Sequence, residues 1–298
     1  MKNKSNNIII GTWGLSGDLG KVKENPLNVL YKAIELGFNE FDLAPTYGQG
    51  KIYNLINKIT PKVKNKMIFN TKCGYDENSY KKTFTTRDIK KSVEKSLDIL
   101  GKINILYLHN PRNEIKDWKK IINLFETLKN KKFIKYSGVS LAKKFYFEKK
   151  IINNFDYVQD EINLLTANNY NEIKKYKSKI HSRSPFALGL LVNKKIIKFE
   201  KNDYRKNLFC SSEREKVILS QISNLKLIEN DLKKLSLDFL FSLEKIDKVI
   251  FGIKTCKHLV QLKNDLKTIR KISPIKNNEV LELNKKNFNL NINQNLLY

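Results

Sequence analysis

An acid, a phenol, an amine and an imidazole follow one another along the chain as Asp42, Tyr47, Lys72 and His109, and together they fit the reduction of a carbonyl group. In that chemistry a hydride arrives at carbon and a proton at oxygen. A tyrosine hydroxyl ordinarily titrates at about pH 10, but an adjacent ammonium favours the phenolate and is expected to make Tyr47 a better proton donor near neutrality. A carboxylate at Asp42 would keep the Lys72 ammonium charged and in place. An imidazole at His109 can hydrogen-bond a carbonyl oxygen and orient it. Singly, each residue has a plain structural explanation: Tyr47 as half-buried packing, Asp42 as a turn or cap residue, Lys72 as one lysine among many, His109 as a satisfied histidine at a strand end. As a set they share something packing does not explain. Lys72 and His109 interrupt apolar runs at their C-terminal ends, where burial alone would place another apolar side chain.

Such positions call for strands that end on one common face. Short apolar or β-branched runs at Ile8–Ile10, Glu40–Asp42, Met67–Thr71, Ile103–Leu108, Ile134–Val139, Asp156–Gln159, Ile180–Ser184 and Lys248–Phe251 read as strands. Between and after them, Pro26–Leu36, Lys51–Ile59, Thr86–Leu100, Trp118–Lys129, Ala142–Ile152, Asn169–Tyr176, Glu213–Leu243 and Cys256–Ile269 carry helical spacing. In the third of these, Ile89, Val93, Ser96, Leu97 and Leu100 fall on one face and Gly101 follows as a stop. Eight strands alternating with eight helical regions predict an α/β fold, a (β/α)8 TIM barrel forming a single domain over residues 1–298, whose strand ends converge on one face. The stretch from Gly189 to Leu243 is too long for one barrel helix and predicts an extra loop or helix. The Asn-rich tail after Lys285 carries little pattern.

The 298 residues suffice for one large core, and no Pro/Gly/Ser-rich linker divides them. The N-terminal apolar run Ile8–Ile10 is too short for a signal peptide, and no stretch approaches the roughly 18 apolar residues of a membrane helix. Cys73, Cys210 and Cys256 are odd in number and lack metal-ligand spacing, which suits free thiols in a reducing compartment; the expectation is a cytoplasmic protein without metal. The formal charge of +27 raises nucleic acid as a partner, but the excess is almost all lysine, spread along polar helix faces, with few arginines for bidentate contacts. The expected partner is a small molecule, with no nucleic acid or membrane, and the chain itself a monomer or weak homo-oligomer.

The order of the blocks around these four residues resembles the aldo-keto reductase superfamily over nearly the whole chain. The resemblance runs through Gly11–Gly14, Asp42–Gly48, Thr71–Gly74, Leu106–His109, Gly138–Ser140, Val158–Leu165, Arg183–Leu191 and Val249–Thr255. It implies a barrel that binds NADPH in extended form without a Rossmann fold; the nearest approach to a glycine fingerprint, Gly48 to Tyr53, lacks its third glycine. It implies Tyr47 as proton donor, Lys72 and Asp42 as its tuning pair, and His109 as the group that positions the carbonyl. For the cofactor it implies Ser140 and Gln159 at the carboxamide, Arg183 against the nicotinamide face, and Ser184, Pro185, Phe186, Gly189 and Leu191 around the pyrophosphate. Lys254 and Thr255 would meet the 2′-phosphate, and Thr12, Trp13 and Gly252 complete the set.

Three positions depart from the family pattern: Leu141 stands where an Asn commonly follows the serine, Tyr53 replaces a glutamate, and Leu262 falls where an Asn often meets the adenine, with Asn264 close by. Trp13 is a plausible wall of the substrate pocket, with Tyr75, Trp118 and Phe186 as weaker candidates. The expected activity is NADPH-dependent reduction of a small aldehyde or ketone. The alternative from a different class is a non-catalytic NADP(H)-binding sensor or regulatory subunit of the same fold.

Overall fold

Eight parallel strands close on themselves in sequence order, β1 to β8, with β8 pairing back to β1. They are β1 (Ile8–Gly11), β2 (Glu40–Asp42), β3 (Ile68–Cys73), β4 (Ile103–His109), β5 (Ile134–Ser140), β6 (Tyr157–Glu161), β7 (Lys179–Arg183) and β8 (Ile246–Gly252). The structure, a computed structural model, describes residues 4–76, 79, 81–142, 146–192, 199–210, 212–270 and 272–288.

Side chains alternate across a strand, so each strand divides its residues between the barrel axis and the surrounding helices. Phe41, Phe69, Leu106, Leu108, Val139, Val158, Ile180, Val249 and Phe251 belong to the large outer core that the helices cover. The opposite parity is inward and largely polar: Glu40 and Asp42, Asn70 and Lys72, Tyr107 and His109, Gln159 and Glu161, His181 and Arg183. Contacts between non-adjacent strands confirm it, since the Tyr107 hydroxyl on β4 lies 2.7 Å from His181 Nδ1 on β7, and Gln159 Nε2 on β6 donates to Asp42 Oδ1 on β2 at 2.8 Å. The crossing tyrosine needs a glycine beneath it. A Cβ on Gly138 would come 2.4 Å from Tyr107 Cδ1.

The helices form where local signals agree. In Thr86–Leu100, Thr85 accepts a hydrogen bond from the Asp88 amide, the face with Ile89, Val93 and Leu100 is buried, and Gly101 at φ 75° ends the helix in the left-handed region. Each such aliphatic side chain contributes about 1.5–3 kcal/mol on burial. The expected helix over 213–243 is broken in two, Ser212–Ile228 and Leu232–Ser242, because Asp231 caps a new start by accepting from the Lys234 amide. A further helix, Tyr204–Phe209, occupies the insertion. Of the helix expected over Ala142–Ile152 only Lys149–Ile152 is helical among the described residues, and 143–145 lie outside them. The short helix Pro61–Lys64 and the long one Pro274–Phe288 were not expected. In the latter an inward polar residue obscures the pattern: Asn284 is buried, donating to the Leu164 carbonyl and accepting from the Ala167 amide.

Candidate active site

Strand ends deliver the four candidate groups to one place. Asp42 ends β2, Lys72 lies one residue before the end of β3, His109 ends β4, and Tyr47 follows β2 in a tight loop. Lys72 is 1% exposed, and its ammonium donates to Asp42 Oδ2 at 2.7 Å, to the Leu43 carbonyl at 2.8 Å and to the Tyr47 hydroxyl at 2.9 Å. An ammonium has three hydrogens, and these three acceptors use them all. Because the Tyr47 oxygen accepts from Lys72, its own proton must point elsewhere. Its contact within the protein is a long one, 3.4 Å to Asp42 Oδ2, which leaves the proton available to a better-placed acceptor. Asp42 is anchored on its other oxygen by Gln159, whose Oε1 accepts from Ser140 Oγ at 2.9 Å.

The electrostatics partly reverse the sequence expectation. Burial, followed by the Asp42 charge, holds the Tyr47 phenol well above its ordinary range. The expected acidification by Lys72 does not prevail. Lys72 itself is lowered, because burial outweighs the attraction of Asp42. His109 is pushed well below 6.5, first by burial and then by the charges of Lys72, Arg183 and Lys82. The site is therefore a protonated phenol beside a neutral imidazole, whose Nδ1 is buried without a hydrogen-bond partner among the described residues.

A stability consequence follows for pH. With its folded pKa below the unfolded value of 6.5, His109 binds fewer protons folded than unfolded, so its contribution is intact above that pH and is lost as pH falls from there toward the folded value. Denaturant midpoints measured from pH 7.5 downward should fall more steeply below 6.5 in the wild type than in His109→Phe. Parallel curves would remove His109 from the linkage.

The four groups line a cavity of about 1700 Å3. Of the expected cofactor residues, Trp13, Ser140, Gln159, Arg183, Ser184, Pro185, Phe186, Gly189, Leu191, Gly252, Lys254 and Thr255 also line it. Thr12 does not: it is fully buried, and its hydroxyl and amide both donate to the Asp42 carbonyl, tying β1 to β2. Trp118 packs against Phe147 and Phe155 away from the cavity, so its candidacy fails. Tyr75 lines the cavity with its ring 5.1 Å from His109. Leu141 is buried behind the wall, Tyr53 bonds Thr71 and Ser96 as a structural hydroxyl, and Leu262 with Gln261, rather than Asn264, reaches the cavity.

The segment after β7 is strained where it meets the cavity: Ser184, Ala187 and Leu188 all have positive φ, at 56°, 47° and 54°. Each such non-glycine residue costs about 1–3 kcal/mol, and strain of this kind collects at ligand sites. It is held from behind by Asn163 Nδ2 on the Ser184 carbonyl and Ser236 Oγ on the Pro185 carbonyl.

Sequence reasoning missed one wall. The loop Asp18–Lys23 and the segment Phe199–Arg205 line the cavity together. They are joined by Tyr204 N to the Asp18 carbonyl, Arg205 to the Leu19 carbonyl and Lys21 N to Glu200. Asp18 Oδ2 accepts from both the Trp13 indole and the Gly48 amide, and Gly48 at φ 59° has no room for a Cβ, which would fall 2.8 Å from the Ser16 carbonyl. No periodicity marks these loops in the sequence. Lysine also proves less evenly spread than composition indicated, since Lys21, Lys23, Lys226, Lys233, Lys254 and Lys257 gather along this cavity.

A closed eight-stranded parallel barrel with a tyrosine, a lysine, a histidine and a carboxylate at the C-terminal strand ends is the class of protein defined by this geometry. The chain belongs to the aldo/keto reductase family, whose model matches residues 7–285. It is 29% identical over 193 residues to the uncharacterized oxidoreductase YqkF of Bacillus subtilis, a match spanning 59% of this chain and 60% of that protein. Among solved structures it resembles a glycerol dehydrogenase from Gluconobacter oxydans, with TM-score 0.74 and 19% identity over 94% of this chain and 92% of that one. It also resembles the holo form of an aldo-keto reductase from Bacillus halodurans, with TM-score 0.70 and 18% identity over 93% and 91% of the two chains. At these identities the structural likeness speaks for the fold.

Proposed function

We propose that the protein is an oxidoreductase that uses NADPH to reduce a small aldehyde or ketone to its alcohol, with Tyr47 as the proton donor. The observation that carries this reading is the Tyr47 hydroxyl, bonded as an acceptor to the buried Lys72 ammonium at 2.9 Å while its own proton is left for the cavity. Tyr47 gives that proton to the carbonyl oxygen, and Lys72 stabilises the phenolate that this creates. Asp42 fixes Lys72 and balances its charge. His109, neutral, orients the carbonyl oxygen through a ring N–H. Trp13, stacked on Tyr47 at 6.0 Å between ring centroids, limits water at the reacting end.

The residues present suit a nicotinamide dinucleotide, which when bound supplies the hydride. Ser140 and Gln159 would hold its carboxamide, the strained turn Ser184–Leu191 its pyrophosphate, and Lys254 with Thr255 its 2′-phosphate. Thr255 caps the helix Cys256–Thr268, so an ammonium and a helix N-terminus meet there. Lys254 is half-buried and donates to the Leu19 carbonyl, which fixes its position at the cavity wall. A charge-assisted contact of this kind is worth about 1.5–3 kcal/mol, so Lys254→Ala should weaken NADPH binding about tenfold to a hundredfold and leave NADH binding largely unchanged. Titration of both proteins with both cofactors checks this, and an unchanged ratio would remove Lys254 from the site. Loss of nicotinamide absorbance with a panel of aldehydes and ketones tests the activity itself; cofactor binding without turnover on any of them would favour a sensor over an enzyme.

A further inference from the structure

We infer that Glu24 sets how strongly the protein distinguishes NADPH from NADH: its carboxylate sits at the start of the helix Cys256–Thr268, where the 2′-phosphate is placed above, and holds the preference for NADPH down. The inference rests on that cofactor reading and adds a specificity residue to it. Glu24 Oε2 accepts from the Cys256 amide at 2.8 Å, across 232 residues of chain. The carboxylate is also held from its own side. Asn25 caps the next helix, Pro26–Glu35, by accepting from the Leu27 amide, and Pro26 opens that helix. Pro26–Glu35 packs along Cys256–Thr268, and Lys263 Nζ ties the pair again farther along by donating to the Leu36 carbonyl at 3.0 Å.

A helix start attracts an anion through its first amides and its dipole, and here a carboxylate of the protein already holds the first of those amides. Its charge is felt beside the cavity. It acts on the ring of His258, a residue of the cavity wall, opposing burial and the charges of Lys254 and Lys257, which lower that imidazole. It also acts on the Cys256 thiol, which is raised first by burial and then by Glu24. Lys254, Thr255 and Lys257 line the same wall but Glu24 does not, so it acts on a bound nucleotide through charge and not through contact. Asp203 and Glu200, the carboxylates that act on Lys254, have partners of their own: Asp203 pairs with Arg205 at 2.6 Å, and Glu200 accepts from the Lys21 amide at 3.0 Å. A 2′-phosphate brings about two negative charges to this place and a 2′-hydroxyl brings none, so repulsion from Glu24 falls on NADPH alone. Lys254 attracts the same phosphate, and the preference is the balance of the two.

The test measures dissociation constants of NADPH and NADH for the wild type, Glu24→Gln and Glu24→Asp, read by nicotinamide fluorescence. Glutamine keeps an oxygen for the Cys256 amide and deletes the charge, whereas aspartate shortens the side chain and keeps the charge. Glu24→Gln is expected to bind NADPH about threefold to tenfold more tightly and NADH within about twofold of the wild type, while Glu24→Asp keeps most of the wild-type ratio. The gain in Glu24→Gln should shrink as salt rises from ~0.05 to ~0.5 M, as the loss of a purely structural tie between the two helices would not. Calorimetric titration with 2′,5′-ADP and ADP, which lack the nicotinamide, should show the same split and so place the effect at the 2′-phosphate. A ratio unchanged in Glu24→Gln, an equal change for both dinucleotides, or a ratio raised as much in Glu24→Asp would overturn the inference and leave the cofactor reading intact. A wild type that binds neither dinucleotide would overturn both.

Discussion

In Tyr47→Phe, carbonyl turnover should fall about a hundred- to ten-thousandfold while NADPH affinity stays within about twofold of the wild type. The phenol is the one cavity-facing hydroxyl whose oxygen is already engaged by the Lys72 ammonium, so its proton has no equivalent replacement. Phenylalanine keeps the ring that stacks on Trp13 and removes a single oxygen, which separates lost chemistry from lost packing. Steady-state rates on the best aldehyde of a panel, together with cofactor titration, measure both effects. Retention of more than about a tenth of the turnover would assign the proton to another group. Because burial keeps the phenol protonated, the reduction rate should also be free of a tyrosine ionisation limb between pH 6 and 9.

Lys72→Met should combine a loss of activity with a large loss of stability. Asp42 and Lys72 are both buried, and removing the ammonium strands a carboxylate in the barrel axis. Breaking one partner of such a pair costs about 3–5 kcal/mol. For a domain of this size that is a fall in Tm of about 5–8 °C. The double variant Asp42→Asn with Lys72→Met should recover much of the stability, since no unpaired charge remains and the Asn oxygen can still accept from Gln159. Activity should stay low in both. Thermal melts of the single and double variants check the coupling, and an equal Tm in all three proteins would show that the pair contributes nothing to the fold.

The barrel was legible because its signals are local. Strands such as Glu40–Asp42 and helices such as Thr86–Leu100 carry their own periodicity, caps and stops, and both lie where the sequence puts them. Lys72 and His109 stood out for the same reason: a charged or polar group at the end of an apolar run contradicts its neighbours. What the sequence could not reveal depends on distant chain. The Asp18–Leu19 turn and Tyr204–Arg205 are brought together across 186 residues by hydrogen bonds to the backbone carbonyls of Asp18 and Leu19, which leave no periodic pattern in the sequence. Thr12 lies off the cavity although its neighbour Trp13 lines it, because the chain leaves β1 with helical backbone angles there and the Thr12 hydroxyl and amide both bond the distant Asp42 carbonyl. The direction of the Tyr47 shift was misjudged because burial, which outweighs the lysine, is a property of the closed fold and not of residue type.

The division of each strand into an inward and an outward face makes this site tolerant of one kind of sequence change and intolerant of another. Substitution in the loops alters the cavity wall and leaves the parity of the strands alone. Loss or gain of one residue within β3 exchanges Lys72 for Thr71 or Cys73 on the axis and sends the ammonium into the aliphatic layer under Thr86–Leu100. The same holds for His109 at the end of β4 and Arg183 at the end of β7. Descendants of this chain can therefore diversify by lengthening and rewriting their loops, while the strands admit point replacements but no change of length, so that new substrate ranges arise around a reacting centre whose spacing is frozen.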